Sequence, residues 1–281
     1  MFQEGIYDHN IISIDKKSRE NLQDHLVIEE PLEIVLKYKT ASSSIIKTVS
    51  ITMRTPGADK DLALGFLFSE SLIDKAEDVL DINFRINCQN DEATQQTIIL
   101  ELQPSLHTRI NNLERHFYTN SSCGVCGKTT IDLTAQSAKY ILKKHDSILD
   151  PEEIYKLPQK LKAVQKLFES TGGIHACGLF NFQYSLMHHC EDIGRHNAMD
   201  KLIGYSLENK LIPTLDHILI LSGRASFELI HKAICIGIPV VASVGAPSSL
   251  AVQLADSFGM TLIGFLRDQR MNVYTHPNRL K

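Results

Sequence analysis

The chain of 281 residues lacks the features that mark several common classes of protein. It has no excess of positive charge, since 29 Lys and Arg stand against 33 Asp and Glu, and a net charge of −4 argues against a general nucleic-acid or anionic-membrane binder. Its longest apolar run, residues 233–246, is too short to span a bilayer and contains Pro239. The first residues lack the basic and then apolar pattern of a signal peptide. We therefore expect a cytoplasmic protein that binds neither nucleic acid nor membrane.

Three motifs of nucleotide chemistry are also missing. The chain has no Gly-x-Gly-x-x-Gly fingerprint and no Walker-type Gly-x-x-x-x-Gly-Lys-Ser/Thr loop, so neither hydride transfer nor nucleotide hydrolysis is indicated. His175 and Cys177 resemble half of a deaminase zinc signature, but the glutamate of His-x-Glu and the Pro-Cys-x-x-Cys pair are absent. Deamination is therefore not expected, and no metal is predicted.

What the chain does contain is one Cys-x-x-Cys pair, Cys123 and Cys126, with glycines after each cysteine. Six cysteines without secretory features indicate reduced thiols, so this pair is predicted to be catalytic rather than a structural disulfide. Glycines leave the sulfurs uncovered, and the residues that follow predict the start of a helix. A helix N-terminus together with Lys128 favours the thiolate, which is the form that attacks.

Two other interpretations of the pair are weaker. A structural zinc site needs about four ligands, and although candidates exist, none forms a second pair at finger-like spacing. These candidates are Cys177, Cys190, and His188 or His189. A pair of buried, inert thiols fits poorly with the neighbouring glycines, serines and lysine.

The chain divides into three predicted parts. Residues 1–28 show no sustained periodicity and are predicted to be a partly ordered arm. Residues 29–120 contain a β-hairpin (33–39 with 45–53), a helix beginning near Asp59, and two further strands, and they end in a polar, mobile loop. In the helix, Leu62, Ala63, Phe66 and Leu67 fall on one face. Arg54, at the strand end before it, either faces a ligand or caps the structure.

Residues 121–281 hold the thiol loop and then a series of strands and helices. Asp150 before Pro151 predicts a helix start, Pro158 a kink or restart, and the glycines at 172 and 173 an end. A second hairpin (174–182 with 185–190) precedes alternating helices and strands, with an edge strand near 271–275. This alternation predicts a three-layer α/β/α domain with a mixed, largely parallel sheet, accompanied by the smaller N-terminal α/β part.

Polar residues follow four consecutive predicted strands, where ligands of such sheets bind. Arginines, hydroxyls and helix N-termini at one rim suit an anionic, phosphate-bearing ligand, although each alone is commonly a helix cap. Phe265 is expected to stack on a base, and Asp192 to accept hydrogens of a guanine. The candidate rim residues are Asp192, Arg195, His196, Asn197, Ser222, Gly223, Arg224, Ser248, Phe265, Leu266, Arg267, Asp268, Gln269 and Arg270.

These motifs together closely resemble the FdhD family, the sulfurtransferases needed for formate dehydrogenase activity. The matching blocks occur in family order from about residue 30 to the C-terminus. They are 55–57 with 61–67, 121–128, 171–175, 191–201, 221–228 and 246–252. The resemblance implies a cytidine-deaminase-like α/β/α fold with an added N-terminal part and no deaminase zinc ligands.

The resemblance also implies a function. A cysteine desulfurase would load sulfur onto the Cys-x-x-Cys loop as a persulfide, and the protein would pass it to the molybdenum or tungsten of bis-molybdopterin guanine dinucleotide before that cofactor enters formate dehydrogenase. The cofactor is then a client, and no permanent cofactor is expected. The cofactor-binding segment of the family maps onto residues 265–270. We expect Cys123 to carry the persulfide, Cys126 to assist or resolve, and the protein to be a homodimer.

Two rival functions remain open from the sequence. A thiol-disulfide oxidoreductase also uses Cys-x-x-Cys, but it needs no anionic pocket, and the motif does not sit early in a strand-helix unit. A non-catalytic chaperone that binds the pterin cofactor would retain activity when Cys123 and Cys126 are replaced, whereas a sulfur carrier would lose it.

Overall fold

The structure is a computed structural model that describes residues 5–40, 43–89, 93–106, 109, 139–142 and 148–281. Within these ranges the chain builds a two-stranded hairpin, a four-stranded sheet and a six-stranded sheet with helices on both faces. No helix among these described residues is long and apolar enough to cross a membrane. The Cys123/Cys126 pair, the helix expected after it and most of the polar loop before it lie outside the described residues.

The N-terminal segment contains a regular hairpin over residues 6–27, which the sequence did not indicate. Strands β1 (Ile6–Ile14) and β2 (Arg19–Val27) pair antiparallel along their whole length. The carboxylate of Asp15 closes the turn by accepting hydrogen bonds from the backbone N–H groups of Lys17 (2.6 Å) and Ser18 (2.8 Å). Nearly every side chain of both strands is exposed, so the sequence carries no alternation of buried and exposed residues from which the strands could be predicted.

The second sheet confirms the predicted hairpin and adds a pairing that the sequence did not indicate. Strands β3 (Glu30–Lys39) and β4 (Ser44–Arg54) pair antiparallel, as do β5 (Val79–Gln89) and β6 (Ala93–Leu102). The two hairpins join because β3 pairs parallel with β6, in the order β4-β3-β6-β5. The predicted helix α1 (Asp59–Ser69) follows β4 and buries its apolar face.

The main sheet has six strands in the order β12-β11-β10-β9-β7-β8. Strands β9, β10 and β11 are parallel, and antiparallel strands flank them on both sides, so the sheet is mixed and its parallel part is the centre. The predicted second hairpin is β7 with β8, and the predicted edge strand is β12. The strands are β7 (His175–Asn181), β8 (Leu186–Asp192), β9 (His217–Leu221), β10 (Val240–Ser243), β11 (Thr261–Arg267) and β12 (Arg270–Thr275).

Helices cover both faces of this sheet and confirm the three-layer α/β/α architecture. One face carries the short helices α2 (Pro151–Ile154) and α3 (Leu157–Lys162), and α4 (Lys166–Thr171) follows them and contacts β2. The other carries α5 (Arg195–Glu208), α6 (Phe227–Cys235) and α7 (Ser249–Ser257). The expected punctuation is present, since the Asp150 carboxylate accepts from the N–H of Glu152 at the start of α2, and Gly172 ends α4 with a φ of 67°.

The two sheets share one hydrophobic core rather than forming separate units. A continuous cluster of buried residues runs from β3 and α1 into α5 and β9. At the crossing of α1 and α5 the backbones touch, because a Cβ on Gly65 would lie 1.8 Å from the carbonyl oxygen of Asp200 and one on Gly204 would lie 1.9 Å from that of Asp61. Glycine is therefore required at both positions.

Arg54 has a structural role, which decides between the two roles the sequence left open. Its side chain is fully buried and donates from Nε and Nη2 to the carboxylate of Asp59 (2.8 and 3.1 Å), and Nη2 also donates to Gln96 Oε1. This bidentate pair joins the end of β4 to the first turn of α1.

Candidate functional site

A cavity of about 740 Å³ opens at the carboxyl ends of the parallel strands. Ser222 and Gly223 follow β9, Val244 follows β10, Arg267 ends the last parallel strand, β11, and residues 268 and 269 follow it. Five of the predicted rim residues therefore line one cavity, as expected where parallel strands end together. These five are Ser222, Gly223, Arg267, Asp268 and Gln269.

The three residues from β11 reach the cavity because of a tight turn. Arg267 pairs with Arg270 across the β11–β12 hairpin, which leaves only Asp268 and Gln269 in the loop. Both have left-handed backbones, with φ of 52° and 57°, as a two-residue turn of this kind requires. All four side chains are exposed. The turn thus offers a guanidinium, a carboxylate and an amide to a ligand within three consecutive residues.

The loop after β9 is anchored to β7. Ser222 Oγ accepts a hydrogen bond from the backbone N–H of Ala176 (2.8 Å), which leaves the hydroxyl proton available for a ligand. Gly223 packs closely on His175, since a Cβ there would lie 3.3 Å from His175 Nδ1. Burial, together with the positive charge of Arg195, lowers the pKa of His175, so this cavity residue is a neutral imidazole at neutral pH.

A helical wall faces these loops, and sequence reasoning missed it. The side of the cavity formed by α2 to α4 is lined by Tyr155, Gln159, Lys162, Gln165 and Phe168. The sequence of residues 150–173 predicts only helices and their ends. A signal did exist, because the last four of these residues follow one another at intervals of three. In an isolated sequence, however, such a row is equally typical of an ordinary solvated helix face.

Two further rim residues, His196 and Asn197, line a second cavity of about 300 Å³ between β4, α1, α5 and α6. Its floor holds an ion pair in which Lys232 Nζ lies 2.6 Å from Asp200 Oδ1, and burial raises the pKa of that aspartate while Lys232 opposes the shift. Burial and Arg195 lower the pKa of His196, and burial lowers that of His231 to about 4. The predicted rim is thus divided between two cavities.

Asp192 is closed to any ligand, which corrects the expectation that it accepts hydrogens from a guanine. The side chain is fully buried. Its Oδ2 accepts from the Thr55 N–H (3.2 Å) and lies 2.7 Å from Lys201 Nζ, and its Oδ1 accepts from the Gly194 N–H (2.8 Å) and Asn197 Nδ2 (3.1 Å). Asp192 therefore fixes the loop that enters α5 instead of binding a ligand.

The remaining predicted rim residues line neither of these cavities. Leu266 is buried in the core beneath the sheet, and Ser248 Oγ caps α7 by accepting from the N–H of Ala251 (3.2 Å). Phe265 is half-buried at an irregularity of β11, with a φ of 54°. Arg195 is half-buried, while Arg224 and Arg270 are exposed.

Cys123 and Cys126 lie outside the described residues, so their catalytic role stays a prediction. Among the described cysteines, Cys177 and Cys190 are buried and face each other across β7 and β8. Burial raises the pKa of the Cys177 thiol well above its usual range and that of Cys190 to about 12. Protonated thiols are poor metal ligands and poor nucleophiles, so these two are packing residues.

Fold and cavity together define a three-layer α/β/α protein with a pocket of about 740 Å³, lined by both polar and apolar side chains, at the carboxyl ends of its parallel strands. Comparison with known sequences shows the family. Residues 27–281 match the sequence profile of the FdhD/NarQ family, and the chain belongs to that family.

Named relatives agree over most of the chain. Identity is 44% over 259 residues with the sulfur carrier protein FdhD of Nocardia farcinica, covering 92% of this chain and 89% of the relative. It is 39% over 264 residues with the protein of the same name from Picrophilus torridus, covering 94% and 95%. A crystal structure from Desulfotalea psychrophila, described as a formate dehydrogenase accessory protein, superposes with a TM-score of 0.70 at 24% identity, covering 98% and 99% of the two chains. That likeness confirms the fold.

Proposed function

We propose that the protein is a sulfur carrier with sulfurtransferase activity. A cysteine desulfurase transfers sulfane sulfur to a thiolate of the Cys123/Cys126 pair, which becomes a persulfide. The second thiolate of the pair then attacks the inner sulfur of the persulfide, so that a Cys123–Cys126 disulfide forms and the outer sulfur leaves as sulfide to the molybdenum or tungsten of bis-molybdopterin guanine dinucleotide, a client needed for active formate dehydrogenase. The name that the relatives share, sulfur carrier protein FdhD, supports the loading of sulfur onto the protein.

One observation carries the proposal for the client, namely that five predicted rim residues converge on the 740 Å³ cavity. Arg267 and Lys162 supply positive charge for phosphate groups. Asp268 supplies a carboxylate that accepts hydrogen bonds from the guanine, a role that the buried Asp192 does not fill. Ligand pockets commonly enclose about 300–1,000 Å³, so one nucleotide arm of the client fits the cavity and the rest extends beyond it.

Peptide mass spectrometry tests the carrier step. The protein is incubated with a cysteine desulfurase and cysteine, and the peptide that holds Cys123 and Cys126 is expected to gain one sulfur atom that a reductant removes. Cys123→Ala should abolish this gain, whereas Cys126→Ala should retain the loading. Cys235→Ala is the matched control, because that thiol is 3% exposed and outside the pair.

This experiment, combined with a titration of guanosine diphosphate, separates the rival functions. If no sulfur is gained while guanosine diphosphate still binds, the protein is a non-catalytic cofactor chaperone. If the pair instead cycles between dithiol and disulfide and no guanosine diphosphate binds, it is a thiol-disulfide oxidoreductase. Sedimentation of the full chain tests the homodimer, which stays a prediction.

A further inference from the structure

Gln165 is a buried polar side chain in the wall of the 740 Å³ cavity. Its exposed fraction is 5%, and it lies between α3 and α4, at the residue where α4 is about to begin. Gln165 occupies the N-cap position of α4, but its side chain makes no capping hydrogen bond. Among the described residues its carboxamide makes no hydrogen bond.

Another residue has taken over the capping of α4. The Glu191 carboxylate, at the end of β8, accepts hydrogen bonds from the backbone N–H groups of Leu167 (3.1 Å) and Phe168 (2.9 Å). These are the groups of the first turn that a cap residue would satisfy. The amide of Gln165 is therefore not needed by the helix, and both its NH2 group and its carbonyl oxygen are free to bind a ligand.

The residue as a whole is buried, but its amide atoms are not fully shielded, so the carboxamide opens onto the cavity without a partner among the described residues and is placed to pair with a ligand there. A carboxamide presents a donor beside an acceptor, and it complements a flat ring with an acceptor beside a donor along one edge. The 2-amino-4-oxopyrimidine ring has such an edge, and it occurs in both guanine and pterin.

The neighbouring side chains suit a flat ring as well. Phe168 lines the same cavity three residues further along, and Lys162 Nζ lies 5.8 Å from the centroid of its ring. An aromatic side chain provides a surface on which a heterocycle stacks, and the lysine adds positive charge beside it.

We propose that Gln165 is a recognition residue that binds the edge of a 2-amino-4-oxopyrimidine ring, with Phe168 as the stacking surface. This inference rests on the proposed function, because it takes a guanine or pterin of the client as the occupant. It adds to the turn at residues 267–269 a second group that binds the ring, located on the opposite, helical wall of the cavity.

Calorimetric titration of the full chain with three probes tests this role: guanosine diphosphate, unsubstituted pterin and inorganic diphosphate. Gln165→Leu and Gln165→Met both remove the amide at nearly constant volume. Each should weaken binding of the ring-bearing probe by about 10- to 100-fold, the usual effect of losing hydrogen bonds in a desolvated site, and should leave inorganic diphosphate unchanged. Gln253→Leu is the matched control, since it makes the same change at an exposed glutamine that lines neither of the two cavities, and its effect should stay within about twofold.

The outcomes separate the two sources of the ring. A loss confined to guanosine diphosphate assigns Gln165 to the guanine, and a loss confined to pterin assigns it to the pterin. If wild-type protein binds a ring-bearing probe and both Gln165 variants bind it equally well, the inference is wrong while the proposed client site stands. A loss in only one of the two variants, or an equal loss for inorganic diphosphate, also overturns it, because repacking then explains the effect. If wild-type protein binds neither ring-bearing probe, both the inference and the proposed client are wrong.

Discussion

The buried ion pair between Lys201 and Asp192 makes the protein's stability unusually sensitive to a single change. The two groups lie 2.7 Å apart, and their side chains are 3% and 0% exposed. Lys201→Met leaves the Asp192 carboxylate buried with only its neutral hydrogen bonds. Removing one partner of a buried pair costs about 3–5 kcal/mol, a large share of the roughly 5–15 kcal/mol by which a domain is stable.

Urea unfolding followed by circular dichroism measures this loss as a lower midpoint at an unchanged slope. Lys156→Met is the matched control, because its partner Glu153 is equally close at 2.6 Å, but the two side chains are 55% and 36% exposed. An exposed pair contributes about 0–1 kcal/mol. The reasoning is refuted if Lys201→Met costs no more than Lys156→Met.

A double-mutant cycle locates the cause of the loss. Once Lys201 has been replaced by methionine, Asp192→Asn removes the uncompensated charge, so the double variant should be more stable than the sum of the two single losses predicts. Additive losses would show that the two side chains are not coupled, despite their contact.

Three smaller predictions follow from other parts of the structure. Gly204→Ala places a methyl group against the Asp61 carbonyl at the helix crossing and should destabilise the fold by about 1–3 kcal/mol in thermal unfolding, whereas a neutral result would show that the helices separate freely. Burial lowers the pKa of His231 to about 4 from an ordinary 6.5, so the folded state binds fewer protons than the unfolded state between these values. The stability that the neutral His231 provides is therefore complete above pH 6.5 and is lost as the pH falls towards 4. His231→Gln should flatten the dependence of the unfolding free energy on pH between these values. An unchanged slope contradicts the assignment. Ser248→Ala removes the cap of α7 and should cost about 1 kcal/mol without changing the affinity for guanosine diphosphate, and a loss of affinity would return Ser248 to the binding rim.

Local patterns predicted most of the strands and helices. The alternation in residues 45–53 and the apolar runs of β9 to β11 are strong signals because each strand has a core to face. The hairpin of residues 6–27 has no such core, and its exposed side chains follow no period. The parallel pairing of β3 with β6 could not be predicted either, since it joins segments about 60 residues apart and no local pattern specifies it.

The candidate site was predicted only where residue type and strand position agree. Arg267 and Ser222 were found because polar residues after a buried strand lie at the ligand end of a parallel sheet. Asp192 meets the same criterion, but its carboxylate is already paired with Lys201 and with the backbone N–H of Thr55, which follows β4. Such long-range contacts cannot be predicted from the local sequence. Gln165 was missed for the opposite reason. It follows no strand, and its importance arises from a cap supplied by Glu191, a residue 26 positions away.

The contact of Gly65 with α5 has a mechanical consequence. Where side chains separate two helices, a larger residue can be absorbed by a change of rotamer, but at this crossing backbone meets backbone and there is nothing to rotate. The spacing of α1 and α5 is thus fixed like that of two parts of one rigid frame. Because His196 and Asp200 of α5 line the second cavity, a shift of α1 displaces part of that lining, and a change at residue 65 alters the cavity although Gly65 does not line it.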